Sequence, residues 1–216
     1  SIFIAVDGFN SKTGTFEITV IDGTGATYPP IAGADCDAAF DVCGPNPITV
    51  NDPGILGYGN ICDFSLNYDC WANGERNSAW YRVTVNPGTL QFDVQTFSDY
   101  DFIMWDITGV SNACALIQTH SLPSVRCNWT TTVGGHTGIS IPDPTFDWEP
   151  AITSLTTRTY LINIDNWNPP FQITGYTIDW MGSPIALTTA SVSWQGSVDT
   201  LFGTTNNWGV VPCNTL

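Results

Sequence analysis

The stretch TLQFDVQTF, residues 89 to 97, alternates Leu90, Phe92 and Val94 with Gln91, Asp93 and Gln95, and this period of two constrains the fold more than any other feature. Side chains two apart share one face of an extended chain, so the pattern describes a strand with one buried face and one wet face. In AWYRVTV (79 to 85), Trp80, Arg82 and Thr84 oppose Tyr81, Val83 and Val85. Both faces carry aromatic area there, which places Trp80 over an edge or a rim. Further strands are predicted at 2 to 7, 14 to 21, 101 to 107, 158 to 165 and 173 to 180, separated by Gly, Pro, Asn and Asp turns. No helical stripe interrupts them, apart from a single turn at CDAAFDVC (36 to 43). The expected fold is all-β, a jelly-roll-like β-sandwich.

Composition narrows the function. The 216 residues carry a formal charge of -15, yet 43% are hydrophobic and nine are tryptophan, so this is a folded acidic protein and not a disordered acidic tail. Such a surface repels nucleic acid and anionic membranes, and no Lys/Arg cluster creates a local exception. No apolar run is long enough to span a bilayer, so direct membrane insertion is not expected; any export signal has been removed or lies upstream.

Seven cysteines (36, 43, 62, 70, 114, 127 and 213) occur without a CxxC pair, and His120 and His136 are not at ligand spacing with each other or with a cysteine pair. An oxidising, extracytoplasmic setting follows, with Cys36, Cys43, Cys62, Cys70, Cys114 and Cys127 as disulfide candidates. Pairing by proximity joins 36 to 43, 62 to 70 and 114 to 127, one connectivity among many, and leaves Cys213 for a partner outside the chain.

An internal repeat sets the expected organisation. IFIAVDGFN (2 to 10) runs parallel to YLINIDNWN (160 to 168), and TFEITV (15 to 20) to GYTIDW (175 to 180). The spacing is about one domain, as in a tandem array. Residues 1–21 are then the closing hairpin of a preceding repeat, 22–33 a linker, 34–181 the sandwich module, and 182–216 a linker and the start of a following module.

Within that frame, ADCDAAFDVC (34 to 43), GERNSAWYRVTV (74 to 85), DYDFIMWDITG (99 to 109), VRCNW (125 to 129) and YLINIDNW (160 to 167) form an ordered set. Over residues 34 to 180 the set resembles a repeat of very large secreted surface proteins of gliding and other Bacteroidetes, distantly similar to calcium-binding β-sandwich modules that follow peptidase domains. The resemblance implies carriage by a dedicated (type IX) secretion system, a place in adhesins or beside secreted enzymes, and a role in gliding motility. It makes Trp80 a packing residue, places Asp99 and Asp101 in a loop that can hold calcium, and marks Thr200 in Asp199-Thr200-Leu201 as an O-glycan acceptor.

Calcium takes six to eight oxygens, several of them carboxylates. Asp99 and Asp101 share a face, and Asp35, Asp37 or Asp41, or Glu75 and Asn77, are available to complete the shell. The plain alternative is that Asp99 caps a turn while Phe102 points inward and Asp101 stays on the wet face. A second acidic stretch, IPDPTFDWEP (141 to 150), is kept from a central strand by its prolines. Trp167 and Trp148 are candidate stacking platforms for sugar rings, with Trp71 and Trp129 as further loop-like candidates.

Enzyme signatures are absent: neither GxSxG nor HExxH occurs, and no Walker or dinucleotide motif is present. Asn128-Trp129-Thr130 matches an N-glycan acceptor beside Cys127. The expected function is a non-catalytic structural or adhesive repeat at the cell surface. Its partners would be adjacent repeats of the same chain and a surface polysaccharide or protein; the alternative is a carbohydrate-binding module accessory to a secreted enzyme.

Overall fold

The computed structural model describes residues 33–51, 63–64, 68–71, 74–130, 135–141, 148–167 and 175–187, and the backbone of 193–194 and 208–209. Its strands are β1 (Phe40–Val42), β2 (Ile48–Val50), β3 (Ser78–Val85), β4 (Gly88–Leu90), β5 (Phe92–Thr96), β6 (Tyr100–Asp106) and β7 (Arg126–Asn128). They continue as β8 (His136–Ser140), β9 (Trp148–Pro150), β10 (Ile152–Ser154), β11 (Arg158–Asn166), β12 (Tyr176–Asp179), β13 (Ser193–Trp194) and β14 (Trp208–Gly209). A first five-stranded sheet runs β1-β3-β11-β6-β7 and a second runs β2-β12-β5-β8-β9; β4 with β10 and β13 with β14 form short ladders. The sequence-based strands at 2 to 7 and 14 to 21, and the hairpin they compose, lie outside the described residues.

The two sheets face each other across the main core. Tyr81 and Val83 of β3, Phe102 and Met104 of β6, and Ile162 and Ile164 of β11 meet Phe92 and Val94 of β5, Tyr176 and Ile178 of β12, and Trp180. Aromatic pairs bridge the layers: Phe92 and Phe102 stand edge to face at 5.2 Å, and Tyr100 and Tyr176 at 4.8 Å. The hydroxyls of Tyr81 and Tyr176 meet at 2.6 Å, which satisfies two polar atoms within an apolar layer. An all-β sandwich is thus the observed fold.

The facing read at 89 to 97 holds, although the segment is two strands and Asp93, on the outer face, is buried instead of wet. Leu90, Phe92 and Val94 are buried, while β4 leaves for β10 and the break falls at Gln91. There the Gln91 N–H donates to Ser183 Oγ at 2.7 Å, and that hydroxyl donates back to the Gln91 carbonyl at 2.6 Å.

The first sheet departs from the expectation of one wet face. Its outer side is roofed by a second core in which Trp80, Ile103, Trp105 and Leu161 lie under Phe64, Tyr68, Trp71, Cys36, Cys114 and Ile117. Trp80 therefore covers neither edge nor rim: it is fully buried and stacks on Trp105 with ring centroids 5.3 Å apart. Being covered on both sides, β6 reads as a continuous apolar run instead of alternating.

The roof is held covalently, with a connectivity that corrects pairing by proximity. Cys36 is bonded to Cys114, 78 residues away, and Cys70 to Cys127, 57 residues away. Cys43 is also disulfide-bonded. The roof includes an element missed in the sequence, α1 (Ala113–Gln118), whose Cys114 and Ile117 point inward one turn apart. The single turn expected at 36 to 43 is present as a 3-10 turn, Cys36–Ala38.

Candidate functional site

Two places concentrate polar chemistry. The first is an acid pole where the roof meets the end of the first sheet. Register sets Asp165 of β11 between Asp101 of β6 and Ser78 of β3, all on the roofed face. Asp101 is only 9% exposed, so the wet face assigned to it is in fact covered. Burial, with Asp99 and Asp165 adding repulsion, pushes its carboxyl up to about 8. Its Oδ1 is buried without a hydrogen-bond partner, as is Asn163 Nδ2 on the same face. Asp165 accepts the Asn77 backbone N–H, and burial raises it to about 7.

Further into the roof a second group is threaded by hydrogen bonds. Asp63 Oδ2 accepts the Cys36 N–H at 2.7 Å, and the Asp63 N–H donates to Glu75 Oε2 at 2.9 Å. Glu75 Oε1 accepts the Trp80 indole N–H at 2.8 Å. Burial drives Glu75 up to about 9, with Asp63 adding repulsion. Asp63 itself rises to about 7 through burial, with the charges of Asp35 and Asp37 adding to it.

The proposed calcium ligands are thus divided. Asp99 acts on Asp101, whereas Asp35 and Asp37 act on Asp63. Among the described residues no three His, Cys, Asp or Glu side chains are grouped closely enough to hold a metal ion, so Asp35, Asp37, Asp99 and Asp101 do not form one centre. Among the described residues the orphaned Asp101 oxygen is the feature that fits a cation, because a positive ion supplies what that acceptor lacks.

The second place is the outer face of the second sheet, over whose middle rows no further strand or helix lies among the described residues. Thr49, Thr177, Gln95 and His136 face one another across β2, β12, β5 and β8. The next row is Asp179, Asp93, Gly138 and Trp148. A Cβ on Gly138 would lie 2.0 Å from the Phe92 carbonyl oxygen, so only glycine permits this approach of β8 to β5. At the end of the first row an open groove of about 430 Å³ is lined by Thr49, Asn51, Gln95, Phe97, His136 and Thr177 among others.

The tryptophan candidates separate by environment. Trp167 is 41% exposed, but the Arg76 guanidinium lies 3.7 Å over its ring and occupies one face. Trp148 is half-buried on edge strand β9, beside the polar face. Trp71 is buried and donates its indole N–H to the Asn128 carbonyl at 3.0 Å, whereas Trp129 is largely exposed. Cys62, Cys213 and Thr200 lie outside the described residues, as do Asp143 and Asp147 of the second acidic stretch.

Sequence reasoning missed Asp63, Asp165 and the groove. Asp63 and Asp165 stand in unremarkable contexts, and the groove residues are the polar half of strands read for their apolar half. Comparison of the chain with protein-family models, with curated proteins and with solved structures matches none of them.

Proposed function

We propose that this chain is a non-catalytic structural and adhesive module of an extracellular multidomain surface protein, one unit among adjacent repeats. The observation that carries the reading is the pair of long-range disulfides whose spans, 36–114 and 70–127, overlap: the first joins two elements of the roof and the second ties the roof to β7 of the sheet. Cross-links of this kind persist in oxidising surroundings and suit a module exposed to tension and proteolysis. Among the described residues no helix is long and apolar enough to cross a membrane. The resemblance of residues 34 to 180 to Bacteroidetes surface repeats supports the same reading, with secretion and gliding as its setting.

Calcium belongs to this proposal as a brace. Asp101 would give the ion its unpartnered Oδ1, with backbone carbonyls and water completing the shell, and the ion would offset the repulsion that Asp99 and Asp165 exert on that carboxyl. The second reading, a carbohydrate-binding module accessory to a secreted enzyme, is favoured by the open polar groove on the second sheet.

Mechanical unfolding tests the structural role. With the Cys36–Cys114 bond closed, a pull on the two ends of the chain cannot extend the 78-residue span it bridges. At roughly 3.3–3.6 Å per residue, chemical reduction of the Cys70→Ala, Cys127→Ala variant, which lacks the overlapping bond, should release at least about 260 Å of contour length relative to its oxidised form. Equal contour lengths would remove the covalent brace and the reading built on it.

A further inference from the structure

We infer that the groove on the outer face of the second sheet binds a neutral saccharide, seated on the row Thr49, Thr177, Gln95 and His136 beside the exposed ring of Phe97. The inference deepens the adhesive reading and rests on it, by naming the surface that adheres and the class of ligand.

The lining selects the ligand through its hydrogen-bonding sense. Asp93 sits one row in and takes two donors: His136 Nδ1 lies 3.1 and 3.0 Å from its carboxylate oxygens, and Gln95 Nε2 donates to Oδ2 at 3.1 Å. A carboxylate only accepts, so it fixes the orientation of both side chains. Gln95 Oε1 and His136 Nε2 are then left to face a ligand as acceptors. The Thr49 and Thr177 hydroxyls bond each other at 3.1 Å, which uses one of their two protons and leaves the other to donate outward. The row therefore offers acceptors together with two donors, one threonine hydroxyl and the second Gln95 Nε2–H, and no fixed charge pointing outward. A ligand dense in O–H groups matches it.

Shape and charge agree. The groove volume, about 430 Å³, falls within the range of small-ligand sites. Phe97 lines it and is 98% exposed, an apolar ring against which the C–H face of a pyranose can lie. Isolated exposed apolar residues are ordinary. Here the ring borders a polar groove, and that conjunction gives it a use. A formal charge of -15 disfavours polyanions and leaves neutral glycans as the complementary class.

The test uses the full oxidised chain in affinity gel electrophoresis against mannan, dextran and xylan as neutral probes, with alginate and heparin as anionic ones. Retardation by at least one neutral polysaccharide is expected, with affinity falling tenfold or more in Phe97→Ala and in Gln95→Glu. Phe97 is 98% exposed, so the melting temperature of Phe97→Ala should match the parent, whereas Gln95→Glu sets a carboxylate beside Asp93 and is compared at a temperature where it remains folded. Retardation unchanged in both variants overturns the inference, and so does binding of anionic probes alone or of no polysaccharide. If the parent chain adheres only to protein-coated surfaces, the saccharide site is wrong while the adhesive reading stands.

Discussion

Replacing Cys36 and Cys114 with alanine is expected to lower the unfolding free energy by about 4 kcal/mol, the loop-entropy value for a closed span of this length. The bond joins residues 78 apart in sequence, and both sulfurs lie in the roof core. Opening it frees the 3-10 turn from α1. Phe64 and Trp80 would then lose part of their cover, because the residues α1 buries in the roof core are Ala113, Cys114 and Ile117. Cys70→Ala, Cys127→Ala should cost a similar amount, since its 57-residue span is only slightly shorter and the entropy depends on the logarithm of length. The spans overlap, so each bond shortens the effective span of the other in the unfolded chain, and removing both should cost more than the sum of the two separate removals. Urea unfolding of the two double variants and the quadruple variant measures all three quantities. A loss under 1 kcal/mol for either pair would show that the roof does not depend on its cross-link.

The second large effect is an inverted pH dependence. Acids usually titrate lower in the folded state, so folding is favoured as they ionise. Here Glu75 lies near 9 against an ordinary 4.5, and Asp63 near 7 against 3.8. In the window between those values the folded chain holds protons that the unfolded chain has released, so stability falls as pH rises. Asp101 and Asp165 shift in the same direction. The melting temperature should be higher at pH 5 than at pH 8.5, by a margin that Glu75→Gln reduces. That amide can accept from only one of the two donors, the Trp80 indole N–H and the Asp63 backbone N–H, that the two carboxyl oxygens of Glu75 now serve. At pH 5 the variant should therefore be less stable by about 1–3 kcal/mol, the cost of one orphaned buried donor. At pH 9 it should be the more stable of the two, and the stability curves should cross between. Calcium bound at Asp101 would favour ionised carboxylates, so it should raise the melting temperature more at pH 8.5 than at pH 5. Parallel curves for parent and variant would show that Glu75 is ionised throughout.

The sequence was most legible where one face of a strand meets water. Along β5, Phe92 and Val94 are buried and Gln95 is exposed, as period two requires, while Asp93 on the outer face is buried, with Gln95 and His136 hydrogen-bonded to it. It was least legible where a second layer, built from distant residues, covers the far face. Nothing near Trp80 or Asp101 announces Phe64, Tyr68 and Trp71 as a roof, so both were read as facing outward. The same roof explains the cysteines. Short separation favours closure entropically, but Cys36 faces α1 across the sheet surface, and geometry outweighs proximity. The six-residue α1 is too short to show a helical period. For the candidate site, Asp99 and Asp101 were identified as neighbours in charge, yet their partner is Asp165, placed by β-register from 64 residues beyond Asp101.

The central claim is that the module adheres and performs no turnover. Beads coated with the oxidised chain, flowed over polysaccharide-coated and protein-coated surfaces with the effluent assayed for new reducing ends and peptides, test it most directly. Retention under flow with no product released is the predicted result. Release of sugar or peptide fragments in proportion to chain concentration, or failure to be retained on any of the surfaces, would contradict it.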